Sequence, residues 1–159
     1  ETMSAGSPQP QLDCQATGLY VQAEQNRLAA VIGHLVRNAQ DATPDQGMVI
    51  VRLFKQNEQA VIEVQDTGEG MDEAFMRDGL FKPFVSTKGK SGMGIGVYET
   101  REFIRSLGGE VEVISRVNQG TTFRIRIPIS EETKNSVKSS DNSNNGRTDE
   151  QRLKETAGC

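Results

Sequence analysis

The sequence predicts an α/β (α+β) two-layer sandwich, a mixed and mostly antiparallel sheet covered on one face by helices. Three observations predict it. An amphipathic helix pattern stands near the N-terminus, two pairs of strand-like segments each close on a short polar turn, and a second helix pattern follows a glycine cluster between the two pairs. No internal repeat interrupts this order.

Residues Gly18 to Gln22, "GLYVQ", are expected as a short first strand. From Glu24 to Ala42 the apolar residues Leu28, Val31, Ile32, Leu35, Val36 and Ala39 recur at helical spacing, and Pro44 follows. "MVIVRLFKQ" and "QAVIEVQD" flank the polar pair "NE" and alternate as a hairpin does. "DEAFMRDGLF" reads as a short helix begun by Asp72. A turn-rich, lid-like stretch, "FKPFVSTKGK", leads into the glycine cluster. Beyond it Val97, Thr100, Ile104 and Leu107 mark a helix face, closed by Gly108 and Gly109 in the usual stop position. "EVEVISR" and "TTFRIRIPI" form the second hairpin around "VNQG".

A chain of 159 residues suits one domain. Residues 1–12 and 131–159 are rich in Ser, Asn, Pro, Gly and charge and are expected to be disordered, which leaves 13–130 as the folded domain. No run approaches the roughly 18 apolar residues of a membrane span, and no signal-peptide pattern opens the chain, so it reads as soluble. Cys14 and Cys159 lie in terminal segments and suggest neither a disulfide framework nor a metal cluster. A net charge of -4 with 5% aromatics argues against a nucleic-acid surface.

Four groups of residues carry possible chemistry, each with a plainer alternative. In "KGKSGMGIG" the glycines Gly92, Gly94 and Gly96 serve either close packing or an anion. Glycine lets backbone N–H groups approach phosphate oxygens, the following helix start favours negative charge, and Lys88, Lys90 and Ser91 suit such a ligand. No strand precedes the cluster, which argues against a dinucleotide fold. On the first helix, His34, Asn38 and Asp41 project to a similar side, either as a solvated face or as a ligand-facing one; Asn38 offers a neutral oxygen of the kind Mg²⁺ accepts. In "QDTGEGM", Asp66, Gly68 and Gly70 form either a plain turn or a pocket whose carboxylate accepts a hydrogen bond from an exocyclic amine such as adenine's. Phe81 and Phe84, around Pro83, belong to a packed loop or anchor a lid.

In order and spacing these segments resemble the ATP-binding catalytic domain of two-component sensor histidine kinases, of the GHKL superfamily with its Bergerat-type ATP-binding fold. The motifs are the asparagine box "HLVRNAQDA", the glycine box "DTGEGM", the phenylalanine box "FKPF", the second glycine box "GMGIG", and "GTTF" at Gly120 to Phe123. The resemblance runs from Gly18 to about Ile129. It implies ATP and Mg²⁺ as cofactors, with Asn38 on the metal, Asp66 reading adenine, and Gly68 and Gly70 shaping the base pocket. It further implies Gly92, Gly94 and Gly96 at the phosphates, Lys88 and Lys90 as counter-charges, Asp41 at the nucleotide side in an open role, and Thr122 near the adenine.

In gyrase-type and chaperone-type members of the superfamily a water-activating glutamate stands four residues before the metal-binding asparagine. Here that position is His34, which disfavours direct hydrolysis. His34 is the only histidine, and no acidic residue follows it as one does at a phosphoacceptor, so its expected role is hydrogen bonding on the phosphate side or a structural one. The implied function is donation of the γ-phosphoryl of Mg·ATP to a histidine on a separate helical dimerisation domain, with a response regulator downstream. The chain itself is expected to be monomeric and cytoplasmic, and the longer protein membrane-anchored. The alternatives are a self-contained ATPase or nucleotide-gated clamp, and a binding module that has lost its chemistry. The phrase "STKGKSGMGIGVYETREFIRSLGGEVEVIS" is also similar to sensor kinases of exopolysaccharide and PEP-CTERM sorting systems.

Overall fold

The structure, a computed structural model, describes residues 7–82 and 93–131. Its elements are β1 (Gln11–Cys14), α1 (Gln25–Ala42), β2 (Val49–Gln56), β3 (Gln59–Asp66), α2 (Glu73–Asp78), α3 (Met93–Ser106), β4 (Glu110–Arg116) and β5 (Gly120–Pro128). The five strands lie in the order β1-β2-β3-β5-β4, with β1 parallel to β2 and the other pairs antiparallel. α1 and α3 cover one face, α1 over β3 and β2, α3 over β4 and β5. This is the expected sandwich.

Local chemistry sets the element ends. Glu24 caps α1: its carboxylate accepts from the backbone N–H groups of Asn26 (3.0 Å) and Arg27 (2.7 Å), satisfying donors the first turn leaves open. Between β2 and β3, Asn57 (φ 49°) and Glu58 (φ 59°) both take the left-handed conformation that a two-residue hairpin turn needs to match strand twist. α3 stops where the N–H of Gly109 bonds the carbonyl of Ile104 and that of Gly108 the carbonyl of Arg105, which satisfies two terminal acceptors.

The first strand is a correction. "GLYVQ" does not pair; the strand forms at Gln11–Cys14, beside Ile50 to Leu53 of β2, and so takes in Gln11 and Leu12 of the stretch expected without order. Pro8 before it is buried, and its carbonyl accepts from the side-chain amide of Gln40 at 3.1 Å. Tyr20 instead turns its carbonyl to the far end of the domain, accepting from the N–H of Ser130 at 2.8 Å.

Strand alternation separates two faces. Phe123, Ile125 and Ile127 of β5 share the helix-covered face with Val64 of β3 and meet Leu35, Val97 and Ile104 in the core. The residues between them point the other way, where ion pairs cross all five strands. Asp13 meets Arg52 (3.6 Å), Arg52 meets Glu63 (3.8 Å), and Glu63 meets Arg124 (2.7 Å). Arg124 then meets Glu112 (3.0 Å), Glu112 meets Arg126 (2.7 Å), and Arg126 ends the row on Glu110 (3.0 Å).

Candidate functional site

Asp66 ends β3 on the helix-covered face and is 5% exposed. One carboxylate oxygen, Oδ1, accepts from the N–H of Gly68 (2.9 Å) and the N–H of Thr121 (3.2 Å). The turn that follows is clamped from two sides. The N–H of Glu69 donates to the carbonyl of Ala42 at the end of α1 (3.1 Å), and the carbonyl of Glu69 accepts from Asn118 in the β4–β5 turn (2.7 Å). Gly70 has φ +67°, and a side chain there would fall on the carbonyl of Arg116, so only glycine fits.

Asn38 lies one helical turn before Ala42, half-buried, and Asp41 is exposed beside it. One turn further back, His34 faces Gly96 in the first turns of α3, so closely that a methyl group on Gly96 would overlap the imidazole. α1 therefore brings the Asp66–Gly70 turn and the start of α3, which includes Gly94, to one side of the domain. Lys88, Lys90 and Gly92 lie outside the described residues, as do Pro83 and Phe84. Phe81, the first residue of the phenylalanine box, is half-buried with the guanidinium of Arg101 4.4 Å over its ring.

The strand register separates the two threonines of "GTTF". Thr121 pairs with Asp66 and points to the core side, whereas Thr122 pairs with Gln65 on the face of the ion-pair row. Thr121 also joins a small buried network: its hydroxyl lies 2.8 Å from that of Ser115, which donates to the carbonyl of Gly120 and accepts from the N–H of Met71. Sequence reasoning named Thr122 and missed Thr121 and Ser115. The signal was present, because Thr121 shares the parity of the core residues Phe123, Ile125 and Ile127.

The His34 pKa lies below its ordinary value, chiefly because burial disfavours the charged ring and next because Arg37 is near; Glu99 and Asp41 oppose this. Nε2 of His34 is buried without a hydrogen-bond partner among the described residues. No group of three or more His, Cys, Asp or Glu side chains among the described residues is placed to hold a metal. The half-buried side chain of Asn38 carries a neutral amide oxygen, a donor chemistry that suits Mg²⁺. No helix among the described residues is long and apolar enough to cross a membrane.

The model of the family described as "Histidine kinase-, DNA gyrase B-, and HSP90-like ATPase" matches residues 23–131. Sporulation kinase D of Bacillus subtilis (strain 168) is 31% identical over 112 residues, 70% of this chain and 22% of that protein. A probable C4-dicarboxylate sensor kinase of Halalkalibacterium halodurans is 37% identical over 105 residues, 64% of this chain and 20% of that one. Among solved structures, the nucleotide-free catalytic domain of histidine kinase ThkA superposes with a TM-score of 0.64 at 26% identity, covering 75% of this chain and 77% of that one. Full-length ShkA in complex with AMPPNP shares the fold, with a TM-score of 0.66 at 24% identity over 76% of this chain and 25% of that one. The chain spans about a fifth of the length of the curated relatives it matches.

Proposed function

We propose, from the premise that this chain belongs to the histidine kinase-, DNA gyrase B- and HSP90-like ATPase family, that it works as the ATP-binding catalytic domain of a sensor histidine kinase whose target histidine lies on a helical dimerisation domain outside the chain. The observation that carries this reading is the convergence along α1: the buried Asp66 turn at its end, Asn38 one turn back, and the start of α3 against His34.

In this reading Asp66 and Thr121 face the adenine, Asp66 accepting from the exocyclic amine. The turn at Gly68 and Gly70 presents backbone to the flat base. Asn38 gives an oxygen to Mg²⁺, which, when bound, neutralises charge between the phosphates. The start of α3, with Gly94 and Gly96, directs N–H groups to the triphosphate; Gly92, Lys88 and Lys90 belong to the same phosphate site as the resemblance implies, and Asp41 sits at the rim. In the transfer, the acceptor imidazole nitrogen bonds to the γ-phosphorus as the bond to the β,γ-bridging oxygen breaks. ADP leaves with that electron pair, and the imidazole N–H proton passes to an acidic neighbour or solvent.

The partners of this reading are the dimerisation domain of the longer protein and a response regulator, with the chain monomeric by itself and the longer protein membrane-anchored. Its pathway is that of the exopolysaccharide or PEP-CTERM sorting type, on the likeness around the second glycine box. Calorimetric titration with a non-hydrolysable ATP analogue, with and without Mg²⁺ and with the GTP analogue as control, tests the site, and phosphate release is followed in parallel with ATP. Adenine-selective, Mg²⁺-aided binding with negligible release is the expected result. Steady release makes the chain an ATPase, and no binding overturns the assignment.

A further inference from the structure

We propose that Ser115 sets the base selectivity of the nucleotide site by fixing the hydroxyl of Thr121 as a hydrogen-bond acceptor. This rests on the ATP-binding reading above and deepens it: Ser115 is a positioning residue that acts through Thr121. The alternation of β4 sends Val111, Val113 and Ser115 toward the helices, since they pair with Ile125, Phe123 and Thr121 of β5. A serine thus stands where the pattern calls for a third valine, and it is buried. Burying a hydroxyl is unfavourable unless its proton and lone pairs find partners. Here all of them do.

Proton counting gives each bond its direction. A serine hydroxyl has one proton to give and two lone pairs to receive with. The N–H of Met71 can only donate, and it reaches Ser115 Oγ at 2.9 Å. The carbonyl of Gly120 can only accept, and it lies 3.2 Å from the same oxygen, so it takes the Ser115 proton. The third contact, 2.8 Å to Thr121 Oγ1, is then made with the proton of Thr121. With that proton spent on Ser115, Thr121 presents only lone pairs to any other group.

Gly120 holds this arrangement in place. Its φ of +107° suits glycine, and a side chain there would fall on the carbonyl of Asp66. The same strand start holds the carboxylate, since the N–H of Thr121 donates to Asp66 Oδ1 at 3.2 Å. Asp66 and Thr121 are therefore two acceptors on paired residues of adjacent strands. They match a purine with an amine at its 6-position and repel one that carries an oxygen there. Without the Ser115 hydroxyl, the Thr121 proton loses its acceptor and turns to serve that oxygen.

The test titrates the whole chain with non-hydrolysable analogues of ATP and of inosine triphosphate, which carry an amine and an oxygen at the 6-position, and takes the ratio of the two Kd values. Ser115→Ala is expected to lower the preference for the amino purine about tenfold, with the ATP analogue weakened and the inosine analogue unchanged or tightened. In a Thr121→Val background the same substitution is expected to move the ratio by less than about twofold, because no hydroxyl remains to be turned. Equal weakening of both analogues by Ser115→Ala makes the serine purely structural and overturns the proposal. So does a shift of the same size in the Thr121→Val background. If the alanine variant does not fold, the wild-type chain decides, by NMR location of the buried hydroxyl protons with the ATP analogue bound. A Thr121 proton directed to Ser115 supports the proposal, and one directed to the base overturns it. A wild-type chain that binds neither analogue sinks the ATP-binding reading itself, and the role of Ser115 falls with it.

Discussion

Gly96 of α3 lies against the imidazole of His34 on α1 with no room for a methyl group between them. Helix spacing at this point is therefore set by a glycine, and the imidazole fills what would otherwise be a gap. Gly96→Ala is expected to destabilise the domain by about 1–3 kcal/mol through overpacking. It should also weaken ATP binding, because the start of α3 must shift. Chemical denaturation and titration check both, and His34→Ala in the Gly96→Ala background should recover part of the lost stability.

The same imidazole gives a pH dependence with a definite sign. Its folded pKa is depressed below the ordinary 6.5, so the unfolded chain binds more protons in the interval between the two values. Stability should fall as pH drops from about 6.5 through the lower folded value, and stay level above it. His34→Gln is expected to flatten this part of the profile. Glu112 acts in a lower window: hydrogen bonding to Arg126 depresses its pKa, so its contribution is present above about 4.5 and lost as pH falls through the folded value. Denaturation midpoints from about pH 2 to pH 8, the His34 titration followed by NMR, and the Gln variant separate the two.

Thr121 and Thr122 are adjacent in sequence and opposite in space. Thr121→Val removes a hydroxyl from a buried pair with Ser115 and is expected to cost about 1–2 kcal/mol, with weaker ATP binding. Thr122→Val, on the other face, should change stability by no more than about 0.5 kcal/mol and leave ATP affinity intact. Equal effects of the two on ATP affinity would contradict the placement of the base.

Asp66→Ala should remove adenine selectivity, lowering ATP affinity on the order of 100-fold, since a pocket built around a hydrogen bond discriminates strongly. Asn38→Ala should mainly abolish the gain in affinity that Mg²⁺ brings. Titrations of both variants with and without the metal distinguish these outcomes.

Arg124 connects Glu63, which is 8% exposed, to Glu112. Arg124→Leu leaves a mostly buried carboxylate with, among the described residues, the longer contact to Arg52, and is expected to cost about 1–3 kcal/mol by denaturation. Combining it with Glu63→Gln should recover part of that loss.

Much of this was legible in the sequence because its signals are periodic or local. The apolar repeat of α1, the two hairpins and the glycine stop after α3 each state their element within a few residues. β1 was not legible: "QLDC" carries one aliphatic residue, Leu12, which is 56% exposed at the sheet edge, so burial leaves no pattern to read. "GLYVQ" has the aromatic and β-branched residues of a strand, yet the carbonyl of Tyr20 is taken up by Ser130. Local motif spacing located the start of β5, but only strand parity tells Thr121 from Thr122. The packing of Gly96 on His34 had no signal, because residues 62 positions apart meet only once the sheet has set the two helices side by side.

The row of alternating charges from Asp13 to Glu110 has a consequence for traffic at the surface. Each cation on it already has anionic neighbours, so an approaching molecule meets little net field and gains little by displacing either sign. Stripping water from such a face returns almost nothing, and it stays wet.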